Sequence, residues 1–108
     1  MVATAKIAPT IDIRELVTGT GPFGPSEIRG LTQALGNNAS AHRDVRGAVR
    51  ELEQMTDRSP AASVRLGVCQ YLLGRYREAL DTLRSGDGGA LALFHQGLAH
   101  VACLLYTF

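Results

Sequence analysis

The stretch "LGVCQYLLGRYREALDTL", residues 66–83, decides the fold. Apolar residues recur through it at helical spacing up to Leu73, Gly74 interrupts the pattern, and "RYREALDTLR" resumes it with Tyr76, Ala79, Leu80 and Leu83 on one stripe. Two amphipathic helices joined at a glycine make a helical hairpin. The pattern recurs: "YREALDTL" at 76–83 matches "VRGAVREL" at 45–52 in its apolar, Arg, Ala and Leu positions, an offset of 31 residues (76 against 45). The same offset carries Leu66-Gly67 back onto Leu35-Gly36, and an offset of 30 carries it forward onto Gln96-Gly97. Self-similarity at this period marks a stack of helical hairpins, the third one cut short.

Working outward, "SAHRDVRGAVRELEQMTDRSP" places Val45, Ala48, Val49, Leu52 and Met55 on one helical face. Ser59 and Pro60 then cap and open the next helix, which runs to Leu73. Upstream, Ser26 is the expected cap of a helix carrying Ile28, Leu31 and Leu35 and closing near Gly36. The cluster Gly19, Gly21, Pro22, Gly24 and Pro25 reads as a linker, preceded by a short helix capped by Thr10 and stopped by Gly19. Downstream, Ala90 to Phe108 reads as a final helix.

On Leu66, Gly67, Gly74, Tyr76, Ala79, Leu80 and Leu83, the stretch resembles the core of a tetratricopeptide repeat. Gly67 and Ala79 suit a close approach of two antiparallel helices, Gly74 a turn, and Tyr76 packing over that turn. The resemblance implies an all-α fold of hairpins stacked as a short right-handed α-solenoid. About five helices would fill residues 26–108, the last repeat incomplete, with residues 1–25 as an N-terminal extension and linker. Ser63 and Gln70 depart from the family, which usually has large aromatics there. Helix 61–73 has two apolar faces divided by Arg65: Ala62, Leu66, Cys69 and Leu73 on one, Val64, Val68, Tyr71 and Leu72 on the other. By resemblance, Ala61, Val64, Val68, Tyr71 and Leu72 map to a concave groove suited to an apolar peptide or a partner helix. The alternative for the second face is packing inside the fold.

Composition agrees with an ordinary globular chain: 108 residues, 45% apolar and 19% charged with a net charge of +1, room for one domain and one modest core. No apolar run before Pro9 and Asp12 makes a signal peptide, so the cytoplasm is the default compartment. Cys69 and Cys103 lie in apolar helical patterns and read as buried, reduced thiols. His42, His95 and His100 lack zinc-ligand spacing, "GTGPFGP" lacks the Lys-Ser/Thr of a phosphate loop, and no nucleophile signature is present. The chain therefore reads as non-enzymatic, with no cofactor and no metal: an interaction module for a protein or peptide. The alternative is a small helix-turn-helix-like DNA-binding regulator built on residues 27–49, whose long turn and mixed charges fit duplex DNA less well.

From Gly88 to Phe108 there is no Asp, Glu, Lys or Arg. A helical projection nevertheless gathers Leu93, Phe94, Leu98, Val101, Leu104, Leu105 and Phe108 on one side, and His95, Gln96, Ala99, His100 and Thr107 on the other, which favours an amphipathic helix with its apolar side covered over a membrane span. Phe94, Leu98, Val101 and Leu105 are the expected self-association residues, the cover being a homodimer or further repeats of a longer chain.

Overall fold

Glycine, proline and short polar side chains set the helix boundaries. The computed structural model of the chain describes residues 11–106, which form six helices and no strand: α1 (Ile13–Thr18), α2 (Pro25–Asn37), α3 (Ala39–Glu53), α4 (Pro60–Leu72), α5 (Tyr76–Arg84) and α6 (Ala90–Tyr106). Ser59 caps α4 as expected, its side chain accepting from the Ala62 N–H at 3.1 Å. Gly19 closes α1 through its N–H to the Glu15 carbonyl. Thr10, the expected cap of α1, lies outside the described residues, and Asp12 caps that helix through the Glu15 N–H. Ser26 is not the cap of α2. The cap is Gly24, two residues earlier, so the helix opens at Pro25, whose missing N–H is no loss there, and Glu27 reaches back to the Gly24 N–H at 2.8 Å, which holds its carboxyl below the usual range. A single residue, Asn38, separates α2 from α3 and caps the latter. Gly74 turns the chain from α4 to α5 with φ 83°, a left-handed conformation that favours glycine.

Helix packing follows one order twice. In the C-terminal half α4 packs on α5, α5 on α6, and α4 on α6; in the N-terminal half α1 packs on α3, α3 on α4, and α1 on α4. The place expected for α2 as the first helix of the first hairpin is thus taken by α1, part of the segment read as extension and linker. Its Ile13 and Val17 are buried with Val45, Val49, Leu52, Leu66 and Cys69. The glycines agree with this order. A methyl at Gly67 would lie 2.5 Å from Leu83 Cγ, whereas Gly36, its sequence counterpart on α2, has nothing within 4 Å.

Helix α4 is the shared wall of two hydrophobic clusters. Its Leu66 and Cys69 face α1 and α3, and its Val64 and Val68 join Ile28, Leu83 and Ala92. The two apolar faces legible in the sequence are these two walls. On α6 the side turned into the chain is the small-residue one: Ala92, His95, Ala99 and Ala102 are buried, and the large aliphatics, for which a second copy or further repeats were the expected cover, point outward. Small side chains let α6 approach α5 and α4 closely, and Leu98-type residues in their place would hold the helices apart. Thr107 and Phe108 lie outside the described residues. Cys69 is buried as expected, but Cys103 is half-buried.

Candidate functional site

The groove expected on α4 is filled from within the chain. Val68 is fully buried and Val64 nearly so, packed in the cluster that includes Ile28 of α2, with Phe23 and Leu91 at its edge. Tyr71 and Leu72 are half-buried and Ala61 is exposed. Tyr71 is engaged by Tyr76 and by His95 of α6, ring centroids 5.5 and 6.0 Å away. Of the five residues mapped to the groove, only Ala61 and the outer edges of Tyr71 and Leu72 remain as surface. A hollow of about 320 Å³ persists beside Ala61, bounded by Phe23, Val64, Arg65, Asp87 and Leu91.

Arg65 organises this region in a way no sequence pattern announces. It is 8% exposed, donates from Nη1 to the Leu16 carbonyl at 2.8 Å and from Nη2 to the Gly21 carbonyl, and lies over the Phe23 ring, 5.3 Å from its centre. A buried guanidinium is stable only when its donors are used, and here one backbone carbonyl of α1 and one of the Gly-Pro linker take them. Arg65 thereby ties the α1–α2 connection to α4. One turn along, burial pushes the Cys69 thiol up to about 12, with Arg65 acting weakly in the opposite sense, so this cysteine is a packing residue and not a nucleophile. Ser63 and Gln70, where the repeat family has aromatics, are also buried and polar: Arg58 donates to the Ser63 hydroxyl, and Gln70 Nε2 donates to Glu53 at 3.1 Å.

The outward side of α6 is a broad apolar surface. Leu93, Phe94, Val101, Leu104 and Leu105 are between 53% and 70% exposed, and Leu98 is half-buried among them; Tyr106, at the end of the helix, instead stacks on Tyr76. All four expected self-association residues, Phe94, Leu98, Val101 and Leu105, lie on this face. Gly97, the counterpart of Gly67, sits at its margin with no heavy atom within 4 Å of where a methyl would stand. The opposite side anchors the helix through Gln96, which donates to the Leu83 carbonyl at 3.2 Å, while His95 Nδ1 meets the Leu91 carbonyl of α6 itself at 3.0 Å. Gln96, on the polar side of the helical projection, therefore ties α6 to the end of α5. Along the other flank a groove of about 500 Å³ runs between α5 and α6, lined by Arg77, Leu80, Asp81, Arg84, His100 and Leu104.

Among the described residues no three His, Cys, Asp or Glu side chains gather where they would hold a metal ion, and no helix is long and apolar enough to cross a membrane. A cleft of about 460 Å³ between α1 and α2 is walled by Ile11, Leu16 and Pro22, with Asp12, Glu15 and Glu27 around it. Asp12 and Glu27 are already committed there as helix caps. Comparison of the chain with protein-family models, curated proteins and solved structures finds no match.

Proposed function

We propose that the chain is a non-enzymatic protein-interaction module of the tetratricopeptide-like kind, and that it binds a helix of a partner on the outward face of α6 rather than in the α4 groove. The observation that carries this reading is the orientation of α6, which turns its small residues inward and leaves a row of large aliphatic and aromatic side chains in water. Isolated exposed apolar residues are ordinary on a protein surface, but a continuous stripe of them along one helix is the signature of a docking face. An amphipathic partner helix laid along the stripe would contact residues at spacings of three and four, as helix-in-groove recognition does. The twice-repeated packing order and the tight contact of Gly67 with Leu83 support the repeat-like reading. The DNA-binding alternative draws no support from α3, where Arg43, Arg46 and Arg50 are exposed in company with Asp44 and Glu51, and Glu51 pairs with Arg14 at 3.0 Å.

The test is affinity capture with the tagged chain against Val101→Glu. Species retained by the parent, an untagged copy of the chain included, are expected to be lost by the variant. Equal retention by both chains would place the binding surface elsewhere.

A further inference from the structure

The geometry points to a second copy of this chain as the occupant of the α6 face, forming a two-fold dimer through antiparallel α6 helices. This rests on the reading of α6 as the docking face and names its partner.

Three observations converge on it. First, Phe94, Leu98, Val101 and Leu105 follow one another at steps of four, three and four, the seam by which helices pair along their length. The seam is self-complementary when reversed: with a two-fold axis between positions 98 and 101, Phe94 faces Leu105 of the second copy and Leu98 faces Val101. Large residues then meet smaller ones at each layer, and the helix dipoles oppose each other favourably. Second, the face has no charge. From Gly88 to Tyr106 the helix and its approach carry no Asp, Glu, Lys or Arg, so two copies can close on each other without burying an unpaired ion. The adjoining flank on α5 has both signs, Arg77, Asp81 and Arg84, and a two-fold apposition sets no single-signed surface against itself. Third, the area reaches the lower end of what a specific interface needs. Phe94, Val101, Leu104 and Leu105, 53% to 70% exposed, offer on the order of 500 Å² per copy, or about 1,000 Å² across the pair. Gly97, open at the edge of the seam, adds no bulk that would hold the two helices apart.

Sedimentation of the full chain at tens of micromolar tests the proposal. The parent is expected as a dimer, Val101→Glu and Leu98→Arg each as folded monomers with parental helix content, and a mixture of the two variants as a heterodimer, because position 101 of one copy lies opposite position 98 of the other. Val101 is more than half exposed, so its loss of association is not a loss of folding. A monomeric parent would overturn the second-copy assignment while leaving α6 as a docking face, which the capture experiment decides separately. A dimer that survives both substitutions would overturn the α6 interface, and two monomeric variants that fail to pair when mixed would overturn the antiparallel register.

Discussion

Two glycines in helix interiors show how much a single position depends on its surroundings. Gly47 is exposed on α3 with nothing within 4 Å of its missing methyl, whereas a methyl on Gly67 would fall 2.5 Å from Leu83 Cγ and 2.6 Å from Cδ2. Alanine at 47 recovers helix propensity and is expected to stabilise the chain by about 0.5–1 kcal/mol. At 67 the same gain is outweighed, because Leu83 is 1% exposed and has no room to retreat, and overpacking of this kind costs about 1–3 kcal/mol. Denaturant midpoints of Gly47→Ala and Gly67→Ala should therefore move in opposite directions from the parent. Equal shifts would mean that α5 does not press on α4 at this point. The sequence already pointed to Gly67 and Ala79 as the close approach, since small residues facing across a helical hairpin have few other reasons to be there.

Between elements, legibility divides according to where the partner atoms lie. The α4–α5 hairpin was readable because side-chain periodicity and a turn glycine specify it locally. The position of α1 was not, for its six residues show little periodicity and its anchor is Arg65, whose partners are backbone carbonyls of α1 and of the following linker and leave no mark in residue types. Nor was the covering of Val64 and Val68, which depends on where Ile28 arrives in space. On α6 the two sides could be separated by projection, but which side faces inward was set by the closeness of the neighbours, and alanines fit where leucines would not. The Arg65 anchor makes its own prediction. Arg65→Met keeps the apolar stem, removes both charged donors, and should cost about 2–4 kcal/mol, the value of two such bonds less partial rehydration of the carbonyls. Hydrogen exchange should quicken more over residues 16–24 than over α5. Uniform loss of protection in both would show that Arg65 holds no element in particular.

Across the whole molecule, α4 contributes to both clusters, so neither half keeps a complete core if the other opens. Cooperative unfolding in one step follows, as for most small single domains. The arrangement of the aromatic residues supplies the means of seeing it. The chain has no tryptophan and three tyrosines, and these stand in a row at one end of the fold, Tyr71 to Tyr76 at 5.5 Å and Tyr76 to Tyr106 at 5.8 Å, the second pair stacked. Near-ultraviolet absorption and emission are thus a local gauge of whether α6 sits on α4 and α5, while the far-ultraviolet signal sums over every helix. In urea the two should fall together in the parent. If the tyrosine signal faded first, α6 would be detaching by itself, and the protein would have reported its own weakest seam in ordinary light, without a label.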